Sequence, residues 1–388
     1  MIKEENLNYN WKFVQIKDAC ELLMGQSPPG SSYNEEGEGM PFLQGKAEFG
    51  KTYPHHIKFT TDPKRKTKRG SILMSVRAPV GDVNIANIDY CIGRGLASLN
   101  LKNGDNKYLF YLLNYLKPKI EESGTGSTFK AITKSGLEKI KIPVPPIETQ
   151  KKIVEILEKG EKLKEWRAEA DELIDDYLKS LFAHMFFDKE KNKDWEVKSL
   201  SEICEINPKK SEINDLPSST EITFLGMEDV GEKGEIFNHK IKNLGDVIKG
   251  YTYFRKNDVL FAKITPCMEN GKGTIARIDT KIGFGSTEFH VLRPKEVNSE
   301  WIYQLLSLDS IRDNAENMMT GSAGQKRVSK RFFDKLEVSI PPLELQNQFA
   351  QIVQQVEPLK ACQSQSKQEI DNLFNTLMQK AFKGELVC

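Results

Sequence analysis

The chain has 388 residues, 38% of them hydrophobic, and 56 Lys and Arg against 55 Asp and Glu leave a net charge of +1. With mean hydropathy −0.50 and no apolar run near the ~20 residues of a bilayer span, a membrane helix is excluded and roughly two or three soluble domains are expected. Near-neutrality also excludes binding nucleic acid by overall charge alone, so any such contact must come from local patches.

The first residues, Met1 to Asn6, are polar and partly acidic, unlike a secretory signal, so a cytoplasmic protein is expected. Trp11 opens a segment, Trp11-Lys12-Phe13-Val14 to Cys20-Glu21-Leu22, that returns 184 residues later as Trp195-Glu196-Val197-Lys198 to Cys204-Glu205-Ile206. The matched Cys20 and Cys204 read as small buried residues rather than reactive thiols. The six cysteines show no C-x-x-C pair and the five histidines no metal-ligand spacing, so neither zinc nor a disulfide framework is expected.

Further along, Lys64-Arg65-Lys66-Thr67-Lys68-Arg69 is the densest basic patch. Ile72 to Val76, Ile222 to Leu225 and Phe289 to Leu292 read as strands bounded by Gly, Pro, Asn and Asp, while Tyr108 to Leu116 and Glu300 to Ile311 read as helices. Ile72-Leu73-Met74-Ser75 matches Val259-Leu260-Phe261-Ala262 at an offset of 187, with Pro79 against Pro266; Ile92-Gly93 matches Ile282-Gly283 at 190, and Thr125-Gly126-Ser127 matches Thr320-Gly321-Ser322 at 195. An offset that grows while the order holds is the mark of a duplicated mixed α/β domain whose second copy has longer loops.

Each copy ends in a long helical pattern. Behind Pro145-Pro146, which can start a helix but not continue one, the residues Ile153, Ile156, Gly160, Leu163, Ala170, Ile174, Tyr177 and Leu181 recur three and four apart. Behind Pro341-Pro342, and 196 residues on, come Phe349, Ile352, Val356, Leu359, Ser366, Ile370, Leu373 and Leu377. From Ile147 to Met185 is 39 residues, a rod of about 58 Å. To bury its seam the second rod must run back along the first, which predicts an antiparallel coiled coil with a pseudo-twofold axis. The apolar positions beside the seam, Leu157, Leu178, Val353 and Phe374, exceed what two helices need and suggest further helices docking on the pair.

Catalytic signatures are missing. There is no G-x-x-x-x-G-K-[ST], no complete G-x-G-x-x-G, and the sole Asn-Pro, Asn207-Pro208, is followed by lysines rather than by the Pro-Tyr of adenine methyltransferases.

Several stretches carry a family likeness: Gly25-Gln26-Ser27-Pro28, Pro41 to Gly45, Ser75 to Gly81 and Cys91 to Leu96 in the first copy, and Ala262 to Lys272 and Gly283 to Val291 in the second. In this order, twice, they resemble the specificity subunit of a type I restriction-modification system. The resemblance implies an α+β protein of two target-recognition domains, residues 1–144 and 191–340, separated by spacer helices at 145–190 and 341–388. It implies no catalysis, no metal and no cofactor on this chain, S-adenosylmethionine, ATP and Mg being confined to partner subunits. Partners would be double-stranded DNA, two modification (methyltransferase) subunits and, indirectly, restriction subunits, with no membrane. Two other classes stay open: a stand-alone DNA methyltransferase or nuclease with a degenerate site, and a coiled-coil scaffold without a DNA role.

Candidate contacts follow from side-chain chemistry. Arg77 and Arg94 can each present two donors to guanine or form an internal salt bridge. Lys64, Arg65, Lys68 and Arg69 suit phosphates or a solvated loop. The loops with Thr125, Ser127 and Lys130, and with Ser322, Gln325, Lys326 and Arg327, suit close approach to DNA or are plain turns. Gln44, Lys263, Lys272 and Glu288 are candidates through the resemblance alone.

Overall fold

The computed structural model describes residues 11–124, 131–188, 192–322 and 324–387. The chain divides into two compact units, Met1–Glu169 with Ser364–Cys388, and Ala170–Gln363. In unit 1 a four-stranded antiparallel sheet runs in the order Cys20–Met24, Leu96–Leu101, Ile72–Ser75, Val83–Ile85. In unit 2 the same order is built from Cys204–Ile206, Phe289–Pro294, Val259–Ala262 and Gly273–Ile275.

A second sheet repeats as well. In unit 1 Met40–Leu43 and Tyr90–Ile92 pair in parallel, flanked antiparallel by Lys58–Thr60 and Lys66–Thr67; in unit 2 Glu221–Leu225 and Ile282–Gly285 do so, flanked by Lys240–Asn243 and Thr252–Arg255. Unit 1 adds Tyr33–Asn34 at one edge. The duplication read from the rising offset is thus a duplication of both sheets.

Helix Asn106–Glu122 is longer than its apolar pattern predicted, starting where Asp105 caps the Lys107 N–H. The helix predicted over Glu300 to Ile311 is instead two, Ser299–Leu306 and Asp309–Asn317, because the Ser307 hydroxyl and backbone turn back on Tyr303 and close the first. The long helices run Ile147–Phe186 and Leu343–Lys383, starting directly behind their proline pairs. The second passes through Pro358, against the rule that proline stops a helix; that residue is exposed, so the carbonyl it leaves unbonded can face water.

Within unit 1 the two helices cross antiparallel, Gly160 against Phe374 and Leu377, and Lys164 bridging Asp371 at 2.8 Å. A Cβ on Gly160 would meet the Phe374 ring at 2.8 Å, which is why a helix-weakening glycine sits there. Within unit 2 Phe182 and Phe186 stack edge-on to Phe349, and Asp175 bridges Lys360 at 2.9 Å. The exposed Lys164–Asp371 pair contributes under about 1 kcal/mol, whereas each fully buried apolar side chain contributes about 1.5–3 kcal/mol, so burial decides the pairing.

The buried stripe follows the heptad seam only in part, sharing Ile153, Phe349 and Val356 with it. Ile153, Val154, Leu157, Met378, Ala381 and Phe382 join the core of unit 1, and Leu178, Phe182, Phe186, Phe349, Val353 and Val356 join that of unit 2. Leu157, Leu178 and Val353 are therefore not surplus: each joins the core of its own unit, and Phe374 packs against the core of unit 1. Of the seam positions, Ile153, Gly160, Phe349 and Val356 are buried, Ile156, Ile174, Leu181, Ile352, Ile370 and Leu377 half-buried, and Leu163 and Leu359 exposed. Among the described residues no helix is long and apolar enough to cross a membrane.

One buried glutamine welds each long helix to its domain. Gln150 donates to the Pro145 carbonyl and accepts from the Asp105 N–H; Gln346, 196 residues later, donates to the Pro341 carbonyl and accepts from the Asn298 N–H. Replacing either by leucine strands a buried carbonyl and N–H, and a loss of about 2–3 kcal/mol is expected. Because the pairs lie in separate units, the double variant should lose the sum in denaturant titrations.

Unit 2 also buries His290, whose Nε2–H donates to the Val328 carbonyl and whose Nδ1 accepts from Asn207. Burial lowers its pKa from 6.5 to about 4. The folded state holds it neutral, so its contribution to stability is complete above pH 6.5 and is lost as pH falls through about 4. Unit 2 should lose on the order of 3 kcal/mol across that window, and His290→Gln should flatten the pH dependence of its melting.

Candidate nucleic-acid interface

In each unit three loops meet at the carboxyl ends of the two parallel strands, a place where irregular backbone is held by rigid sheet. In unit 1 the Gly93 N–H donates to the Leu43 carbonyl, Val76 N–H to the Gly95 carbonyl and Ile132 N–H to the Val76 carbonyl. These bonds bring the segment after Leu43, the Gly93–Gly95 turn and the loop after Ser75 together. In unit 2 Ser286 N–H donates to the Leu225 carbonyl, Lys263 N–H to the Glu288 carbonyl and Val328 N–H to the Lys263 carbonyl. The three bonds recur, but they set Gly93 against Ser286 and Gly95 against Glu288, an offset of 193, so strand pairing corrects the match of Ile92-Gly93 to Ile282-Gly283 at 190.

Glycine is required at the turn of unit 1. A Cβ on Gly95 would lie 2.4 Å from the Gln44 carbonyl oxygen, so only glycine lets the two loops approach this closely.

The sequence candidates of unit 1 divide. Gln44, Arg77 and Arg94 are all exposed at this end, Gln44 accepting from Lys58 Nζ at 3.1 Å and Arg94 N–H donating to Ser27 Oγ at 3.4 Å. Neither Arg77 nor Arg94 has a side-chain partner among the described residues. Antiparallel pairing of Lys66–Thr67 with Tyr90–Ile92 splits the basic run: Arg65, whose carbonyl accepts from Ile92, lies at this end with Lys64, whereas Lys68 and Arg69 lie at the other, Arg69 N–H on Asp89. Lys64 is paired with Asp62 at 2.7 Å. Thr125, Ser127 and Lys130 lie outside the described residues.

In unit 2 the same place is charged differently. Arg327 grips Glu288 through Nε and Nη2 at 2.9–3.2 Å, and that hydrogen bond holds the Glu288 carboxyl below its usual range. Lys263 adds a second nearby positive charge. Ser322, Gln325 and Lys326 stand exposed on the adjoining loop, with Lys326 N–H and Thr265 Oγ1 at 3.2 Å. The Lys272 ammonium donates to the Met227 carbonyl at 3.0 Å and points along the loops rather than outward. Lys58 in unit 1, and Glu228 and Lys240 in unit 2, belong to this surface too, Lys240 pairing with Glu228 at 3.1 Å and with the buried Asp229 beneath it at 2.8 Å. Nothing in the linear sequence marked them, since strand pairing alone brings them here.

The arrangement offers forked donors in unit 1 and a mixed acid–base edge in unit 2. The two surfaces therefore differ in hydrogen-bonding chemistry, arginine donors in the first and donors with carboxylate acceptors in the second.

A family model described as the type I restriction modification DNA specificity domain matches residues 8–170 and again residues 192–372. A Methanocaldococcus jannaschii protein named as the specificity subunit of type I restriction enzyme MjaX is 51% identical over 176 residues, which are 44% of this chain and 41% of that protein. The EcoEI specificity subunit of Escherichia coli is 41% identical over 152 residues, 38% of this chain and 25% of that protein. The chain thus spans less than half the length of these relatives. The solved S subunit of the type I restriction-modification system of M. genitalium has 19% identity and a TM-score of 0.57, over 98% of both chains, which is a likeness of fold. With the model matching both sheet-and-helix repeats, the chain belongs to the family of type I restriction-modification DNA specificity domains, of which it carries two copies.

Proposed function

We propose that this chain is the non-catalytic DNA-specificity subunit of a type I restriction-modification complex, reading a bipartite duplex with one domain per half-site. The observation that carries the reading is the repeated loop cluster, identical in backbone bonding and different in charge in the two units. A shared scaffold with different side chains is what an asymmetric two-part target requires. The target-recognition domains are residues 1–144 and 191–340, with the reading parts in 11–142 and 195–338.

The long helices are the docking surface for two modification subunits, which bring S-adenosylmethionine; restriction subunits, with ATP and Mg, join through them in the cytoplasm. Support comes from apolar side chains left exposed mid-helix, Leu163 and Trp166 in unit 1 and Leu173, Tyr177 and Leu359 in unit 2, at 40–61% exposure. Exposed apolar residues of this size on a helix mark a place for a partner.

Sequencing that detects methylated adenines in cells expressing the chain with its modification subunit should return two half-sites around an unread gap. Exchanging residues 195–338 for the equivalent domain of a relative should change one half only; a change in both, or a continuous motif, would overturn the reading, as would methyl transfer by the purified chain alone. Arg94→Ala and Arg77→Ala should each relax the first half-site by about 1–3 kcal/mol at one base pair. The second half-site should be read as before.

A further inference from the structure

We propose that Asp82 with Lys117 in unit 1, and Lys272 with Arg312 in unit 2, are positioning residues that touch no base but fix the angle between the loops that do. The inference rests on the DNA-reading function proposed above. Lys272 lies 190 residues after Asp82, and Arg312 195 after Lys117, the offsets of their neighbourhoods in the repeat. The two pairs therefore occupy one place in the fold.

In unit 1 the loop after Ser75 carries Arg77 and returns through Gly81, whose φ of 92° is left-handed. Asp82 follows at once. Its Oδ1 accepts from Lys117 Nζ at 2.7 Å, on helix Asn106–Glu122, and Oδ2 lies 2.8 Å from Lys46 Nζ as an ion pair off the hydrogen-bonding direction. Lys46 is two residues past Gln44. One carboxylate therefore ties the Arg77 loop both to the helix behind it and to the Gln44 loop beside it. Burial alone would raise its pKa, but the two lysines outweigh burial and keep it ionised.

Unit 2 makes the same brace with other chemistry. The loop from Lys263 returns through Gly271, at φ 89°, and Lys272 follows. Arg312, nearly buried on helix Asp309–Asn317, donates from Nη1 to the Met268 carbonyl at 2.7 Å and from Nη2 to the Gly271 carbonyl at 2.9 Å. Lys272 Nζ reaches across to the Met227 carbonyl, on the loop equivalent to that of Gln44. The helix cation holds the loop's return, and the residue after the glycine holds the neighbouring loop. A carboxylate between two ammonium groups has been replaced by cations on carbonyls, yet the geometry is kept.

The test uses the full chain assembled with its modification subunits, and duplexes carrying the methylated target or one mismatch in either half-site. Half-sites are assigned to units by the domain exchange above. Arg312→Met should compress discrimination between cognate and mismatch in the second half-site by on the order of tenfold, and leave discrimination in the first intact. Arg312→Lys should restore part of it, since one ammonium can still reach a carbonyl. Asp82→Asn should do the converse, weakening discrimination in the first half-site only. The slope of log affinity against log salt should stay that of the unaltered protein, because no phosphate contact is removed. A slope lower by about one would make the residue a phosphate ligand; equal loss at both half-sites, or none, would also overturn the proposal. If Arg312→Met does not assemble, Arg312→Lys and Asp82→Asn decide by the same readout. Should the unaltered complex discriminate among no duplexes, it is the DNA-reading function that fails, not the brace.

Discussion

Apolar burial of the long helices against their own domains is the constraint on which the rest of this protein depends. Ile153, Val154 and Leu157 complete the core beneath the first four-stranded sheet, and Phe349, Val353 and Val356 do so in the second unit. Three such side chains contribute together several kcal/mol, more than the exposed ion pairs along the helices can supply. A helix anchored this way is part of the domain rather than a tether. The buried Gln150 and Gln346 add direction to that burial: each satisfies a carbonyl at the helix start and the first N–H beside the domain's own helix, so the joint has one geometry.

With the joint rigid, recognition can be delegated to loops. The parallel strand pair in each second sheet ends where the three loops meet, and the backbone bonds that join them recur in both units. What varies is charge. Exposed Arg77 and Arg94 in unit 1 face no acid among the described residues, whereas Glu288 in unit 2 is already held by Arg327. A partner approaching unit 2 meets donors and acceptors of both signs in fixed positions, an arrangement that favours selectivity over raw attraction. The near-zero net charge of the chain agrees with this, since any charge attraction to a partner must come from local patches rather than from the whole surface.

Much of this was legible in one dimension. The rising offset announced two domains, because loops absorb insertions while strands do not, and Ile72 to Ser75 and Val259 to Ala262 occupy the same central place in their sheets. Proline pairs marked both helix starts, since a residue without an N–H fits only the first turn. Cys20 and Cys204 are buried, and burial pushes each thiol up to about 12, as befits packing residues.

Other features were decided only by tertiary structure. The heptad pattern located the helices but only part of their buried stripe, because periodicity cannot tell a partner helix from a sheet, and Leu157 and Val353 join the cores of their own units. The run from Lys64 to Arg69 is continuous in sequence, yet strand pairing sends its two ends to opposite ends of a sheet. Lys272 was a candidate contact through the resemblance alone, and the fold sets a carbonyl within its reach, while Lys58, Asp82 and Arg312 carried no signal of their own. Local propensity and period are written along the chain and so determine elements, their order and their duplication. Which charges meet depends on strand register and helix packing across distant residues, and these exist only once the chain has folded.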